Sequence, residues 1–214
     1  MTLAFEEIFS IADAFQGIPM AGRTDAWILG DAAAAHGIPR DSPELARFPE
    51  VYFRHLATEI EISEKRGTTL SPRGRYGVMP GVRVLLDALV ANPAAFLALL
   101  TGNYEAGARL KLEHFDLWRY FQCGAFGDAA PDRNGLMARA LERTAACGAT
   151  FQASDAVVIG DTPLDIACAR TGGARSIAVA TGSHSVEELR AAGADVAFED
   201  LSDTETVLAA ILRF

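Results

Sequence analysis

Short runs that are apolar along nearly their whole length, each reached through a stretch of helical periodicity, constrain this chain more than any other feature. They occupy residues 96–100, 156–160, 176–180 and 196–198, with a shorter apolar stretch at 123–126. Helical patterns cover residues 82–91, 105–115, 135–146, 164–171 and 186–192. A strand with one wet face alternates apolar and polar residues, whereas a strand apolar on both faces has to be covered on both. Such strands alternating with helices predict a parallel sheet with helices on each side. Ser185 with Glu188, and Ser202 with Glu205, have capping-box spacing and are expected to start the last two helices.

The first third of the chain has no run of that kind and is expected to be helical. Leu3, Phe5, Ile8, Phe9, Ala12 and Phe15 recur at helical spacing, so one helix is expected across them. The loop GIPMAGRTD follows, then a second helix over 26–36 that Gly37 and Pro39 end. Ser42-Pro43 opens a long helix running on to Ile60, with Pro49 as a disturbance. Residues 65–77, basic and rich in Gly and Pro, read as a linker. The chain therefore divides into a helical module with its linker, residues 1–78, and an α/β core, residues 79–214.

Composition narrows the possible functions. With 28 acidic against 19 basic residues the formal charge is −9, which argues against a nucleic-acid binder that must track phosphates with a basic face. Its apolar runs are too short to cross a membrane. The N-terminal stretch carries Glu6 and Glu7 and lacks the basic flank of a signal peptide, so a cytoplasmic location is expected. Cys123, Cys147 and Cys168 are odd in number and widely spaced, consistent with reduced thiols. His36, His55, His114 and His184 are scattered and suggest no zinc site. Neither GxGxxG after a first strand nor a P-loop is present, which leaves dinucleotide and P-loop chemistry without support.

Ligands of parallel sheets sit beyond the C-terminal ends of the strands, and two strand ends carry candidate chemistry. After the 96–100 run come Thr101, Gly102 and Asn103. They either cap the next helix or hold a phosphoryl oxygen with a hydroxyl and backbone N–H groups at its N-terminus. After the 156–160 run come Asp161 and, four residues on, Asp165. One aspartate at a helix start stabilises the dipole; two at one strand end exceed that need, and hard carboxylate oxygens suit Mg²⁺. Arg133, in Asp132-Arg133-Asn134, and Lys111 are two candidate cations for an anion beside that metal.

These pieces, in this order behind a helical module, resemble the haloacid dehalogenase-like (HAD) phosphohydrolases, in particular the phosphoglycolate-phosphatase-like branch with a helical cap. Thr101 in LLTGN matches the family's second motif, Arg133 stands where the third-motif cation is expected, and Asp161 and Asp165 in GDTPLD match the fourth. GRTD, with Arg23 and Thr24, looks like a cap segment that contacts substrate, and TGSHSVEELRAAGADVAFEDL looks like the usual C-terminal stretch. The resemblance implies a Rossmann-like parallel core and hydrolysis of a small phosphorylated metabolite. It also implies Mg²⁺ bound by Asp161 and Asp165, and an aspartyl-phosphate formed by a strand-end aspartate and resolved by a second aspartate acting as acid and base. Thr101, Gly102, Asn103 and Arg133 or Lys111 would hold the phosphoryl group.

One element of the family pattern is not found. The nucleophile belongs to a DxDxT turn after an apolar strand ahead of the cap, and the sequence contains no DxD there. Asp13 lies in a helical pattern and Asp25 in the cap loop, and neither is assigned as nucleophile. The simplest expectation is an N-terminally truncated chain whose missing strand belongs at the centre of the sheet, leaving its neighbours' edges unpaired. Two alternatives are a degenerate relative that binds metal and phosphate without turnover, and a dehalogenase. The substrate expected from the resemblance is a small organic phosphate such as 2-phosphoglycolate.

Overall fold

The structure is a computed structural model and describes residues 1–65, 77–128 and 132–213. Nearly all of the expected linker, with Arg66, Arg73 and Arg75, lies outside the described residues. The first third forms α1 (Thr2–Phe9), α2 (Asp25–Ala35), α3 (Pro43–Ala46) and α4 (Phe48–Lys65). The expected first helix is cut short at Phe9, because Ser10 and Asp13 turn the chain with positive φ angles of 56° and 54°. That turn brings Ala14 and Phe15 back into the cluster that already holds Ala4 and Phe5, so the periodic apolar residues share a core without sharing a helix. The long helix expected from Pro43 is two helices. Ser42 caps α3 through the Leu45 N–H, and Pro49 falls in the first turn of α4, where a missing N–H is harmless. Phe5, Phe15, Phe48 and Tyr52 meet at ring distances of 5.5 to 6.5 Å. Tyr104, from the other part of the chain, joins them.

The remainder alternates α5 (Val82–Val90), β1 (Ala98–Leu100), α6 (Glu105–His114), β2 (Cys123–Ala125), α7 (Leu136–Ala146), β3 (Val157–Gly160) and α8 (Pro163–Gly172). It continues with β4 (Arg175–Val179), α9 (Val186–Ala191), β5 (Val196–Phe198) and α10 (Thr204–Leu212). Every strand pairing is parallel, as strands covered on both faces require. The Ser185–Glu188 capping box forms as expected. The one expected at Ser202 does not: Asp203 caps α10 through the Thr206 N–H, and Ser202 bonds back to Asp200.

Among the described residues the strands form two sheets, β1-β2 and β3-β4-β5. Leu99 stands opposite Gly124, and Ile159 opposite Ile177. Between the sheets lies an apolar cavity of ≈ 510 Å³, with Leu97–Leu100 on one wall and Val157–Ile159 on the other. Leu85 and Leu89 of α5 and Met137 of α7 also line it. The facing edges of β1 and β3 thus have no strand partner among the described residues. Both sheets present their C-terminal ends to the loop of residues 22–25, and that loop positions the candidate site.

Candidate active site

At the end of β3, Gly160 leads into Asp161 and then into α8, whose start the local sequence fixes completely. Thr162 is the N-cap, Pro163 occupies the first turn, and Asp165 closes a reciprocal capping box. One Asp165 oxygen accepts from the Asp161 N–H (3.2 Å), the Thr162 N–H (2.9 Å) and the Thr162 hydroxyl (2.7 Å). The other oxygen is paired with an Arg133 guanidinium nitrogen. A Cβ at residue 160 would lie 2.2 Å from the Asp165 carboxyl carbon, so only glycine lets the carboxylate fold back this far. Asp165 therefore does not meet the expectation of an open metal ligand: its oxygens are engaged in holding the strand end and in balancing Arg133.

Asp161 has a different environment. Its carboxyl pKa is raised, first by burial and then by the neighbouring charge of Asp165, against the pull of Arg133 and His184. A Cβ at residue 182 would meet an Asp161 carboxylate oxygen at 2.4 Å, so the loop after β4 passes close over this carboxylate and a larger residue there would push it aside. Arg133 reaches this group from a short helical turn that Asp132 caps. Its Nη1 donates to the Gly22 carbonyl at 3.1 Å, while its buried Nε has no hydrogen-bond partner among the described residues.

The end of β1 is organised by the first third of the chain. Thr101 does not cap α6; its hydroxyl oxygen accepts from the Asn103 N–H at 3.2 Å. The cap comes from Asp25, the first residue of α2, whose carboxylate accepts from the Tyr104 N–H (3.0 Å) and the Asn103 side-chain amide (3.3 Å). The Asn103 side-chain oxygen in turn accepts from Lys111 Nζ at 3.0 Å. Burial raises the Asp25 carboxyl and lowers the Lys111 ammonium, and each opposes the shift of the other by its charge. The Asp25 N–H donates to the Gly102 carbonyl at 2.7 Å, and a Cβ at residue 102 would meet the Arg23 carbonyl oxygen at 2.4 Å.

Residues 22–25 thus touch both strand ends, Gly22 through Arg133 and Asp25 through the Thr101–Tyr104 turn. The expectation that Arg23 and Thr24 face substrate is not met. Thr24 is fully buried and caps α2 through the Trp27 N–H. The Arg23 guanidinium is held by Asp31 (2.7 Å), by the Pro19 carbonyl (3.0 Å) and by the Trp27 ring. Of the two candidate cations, Arg133 belongs to the aspartate pair, whereas Lys111 acts on Asn103. The sequence reading gave no role to Asp25 or Thr162. Thr162 had a visible signal, the same capping-box spacing seen at Ser185.

Among the described residues no group of three or more His, Cys, Asp or Glu side chains could hold a metal ion. Asp161 is a suitable hard oxygen donor for Mg²⁺, but one carboxylate is not a complete donor set.

Residues 132–204, which span Arg133 and both aspartates, match the HAD-hydrolase-like family model. A structure of a predicted phosphoglycolate phosphatase from Haemophilus somnus is similar with a TM-score of 0.64 and 15% identity, covering 96% of this chain and 87% of that one. A β-phosphoglucomutase structure from Clostridium difficile is similar with a TM-score of 0.66 and 13% identity, over 99% and 89% of the two chains. The protein therefore shares the α/β, Rossmann-type fold of these solved structures. By sequence it is similar to a probable phosphatase, IndB, of Dickeya dadantii, 33% identical over 141 residues, 64% of this chain and 58% of that relative. The match thus spans little more than half of the relative's length.

Proposed function

We propose that the chain handles small organic phosphate monoesters, in the size class of 2-phosphoglycolate, at the joint C-terminal ends of β1 and β3. The observation that carries this reading is the division of labour between the two aspartates of GDTPLD. Asp165 is consumed in positioning, and this leaves Asp161 at the strand end, raised by burial and by its neighbour, beside a guanidinium. Such a carboxylate gains from a nearby positive charge, and Mg²⁺ when bound would supply it and neutralise a phosphoryl oxygen. The Thr101 hydroxyl accepts from Asn103, which leaves its proton to donate to a phosphoryl oxygen. Arg133 is the cation closest in role to an anion clamp, and its uncommitted Nε–H is a spare donor. Lys111 acts through Asn103, keeping the turn after β1 in shape.

The covalent route that the resemblance implies needs a strand-end aspartate ahead of the helical module. Asp25 cannot take that part, because it is 4% exposed and committed to Tyr104 and Asn103. Binding without turnover by residues 1–214 is therefore the second reading, and little or no hydrolysis is expected from them. Calorimetric titration with inorganic phosphate in the presence of MgCl₂ tests the site. Wild type should bind, while Arg133→Gln and Thr101→Val should each weaken binding about tenfold, one charge-assisted or oriented hydrogen bond each. Absence of binding by a folded wild-type chain overturns the proposal. Hydrolysis of p-nitrophenyl phosphate that survives Asp161→Asn overturns the assignment of Asp161.

A further inference from the structure

Two thiols approach each other between β2 and α7, away from the strand-end site. Cys123 opens β2 and is partly buried; Cys147 ends α7 and is exposed. Their surroundings are reciprocal. Cys147 Sγ lies 3.9 Å from the carbonyl oxygen of Gln122, the residue before Cys123. Cys123 Sγ lies 3.6 Å from the hydroxyl of Thr144, one helical turn before Cys147. Each sulfur rests against the other cysteine's immediate surroundings. The Cys123 thiol is raised first by burial, and its hydrogen bond and charge interaction with Cys147 push in the same direction. Cys168 lies elsewhere: it is a buried residue of α8 and donates to the Arg133 carbonyl at 3.1 Å.

We propose that Cys123 and Cys147 form a redox-active dithiol that closes to an intramolecular disulfide by exchange with a small disulfide such as oxidised glutathione. Exposed Cys147 loses its proton to water, and its thiolate attacks one sulfur of the external disulfide. That S–S bond breaks, Cys147 becomes a mixed disulfide, and the first external thiolate leaves and takes up a proton. Cys123 then loses its proton and attacks the Cys147 sulfur, forming the internal S–S bond and expelling the second external thiol. Two protein thiols are oxidised and one external disulfide is reduced to two thiols. The bond would close the loop from residue 123 to 147, which contains Asp132 and Arg133, and so restrain at both ends the segment that carries the guanidinium. An oxidising surrounding would therefore act on the anion site from its far side.

The full chain, held in glutathione buffers of graded oxidised-to-reduced ratio, quenched with acid, alkylated and mapped by mass spectrometry, tests this. A Cys123–Cys147 cross-linked peptide is expected, with Cys168 alkylated only after unfolding. In urea the three possible pairings should become comparable, so the native preference for this one should exceed the unfolded preference by about tenfold or more. Cys123→Ser should accumulate a stable glutathione adduct at Cys147. Two results would overturn the proposal: a folded wild type that stops at the Cys147–glutathione adduct with Cys123 still free to alkylate, or native and unfolded chains that give the same distribution of pairings.

Discussion

Asp165 and Asp25 are both 4% exposed, both lie in the first turn of a helix, and they meet the cost of burial in different ways. Asp165 works within its own helix start, accepting three local donors on one oxygen and an arginine on the other. Asp25 caps a different helix, α6, through residues 78 and 79 positions along the chain. A buried carboxylate that spends its oxygens locally makes a rigid strand end. One that spends them at long range makes a joint between two parts of a molecule. At Asp25 burial outweighs these hydrogen bonds and the charge of Lys111, and raises its pKa.

Four measurements test this contrast. Asp165→Ala should have the largest effect, about 3–5 kcal/mol lost in urea denaturation, because Arg133 is left buried without its partner and the capping box is removed. Asp25→Ala should cost about 2–3 kcal/mol, since the Tyr104 N–H and the Asn103 amide lose a buried acceptor. A loss at Asp25 larger than at Asp165 would reverse the ranking of local over long-range anchoring. Asp161→Asn should instead stabilise the fold at neutral pH, by about 1 kcal/mol, as relief of strain at a site often does. The pH dependence fixes the sign. With a folded pKa raised above the ordinary 3.8, the unfolded chain releases the Asp161 proton first, so stability falls as pH rises from 3.8 through the folded value. Asp25 acts in the same direction, and Asp161→Asn should flatten only its own share of that slope. Arg23→Ala should have the smallest effect, about 0.5–1 kcal/mol from the lost stacking on Trp27 and the pairing with half-exposed Asp31. Its phosphate affinity should be unchanged, because Arg23 is turned away from the strand ends.

Much of the fold was legible because its signals are local. Runs apolar on both faces marked β1, β3, β4 and β5 and their parallel arrangement, and Asp161 was visible as the residue that follows β3. The misreadings also have local causes. The spacing of Phe5 and Phe15 suits one helix, yet left-handed Ser10 and Asp13 fold it into two pieces of the same cluster. Thr162 and Asp165 have the spacing of a capping box, so the engaged state of Asp165 was readable, but the pairing with Arg133 thirty-two residues away was not. No periodicity links Asp25 to Tyr104. That contact depends on how the helical module docks, as do the buried Thr24 and the inward-turned Arg23.

The gap between the two sheets has a consequence for cooperativity. In a continuous sheet the ladder of backbone hydrogen bonds runs from one edge to the other, so the strands lose protection together. Among the described residues that ladder is interrupted between β1 and β3, and the halves are joined through the side chains of helices such as α7, whose Leu136, Met137 and Ala140 pack in one cluster with Ala125 of β2 and Val158 of β3. Native-state hydrogen exchange should therefore resolve two families of amides, one from β1-β2 and one from β3-β4-β5, each opening with its own free energy.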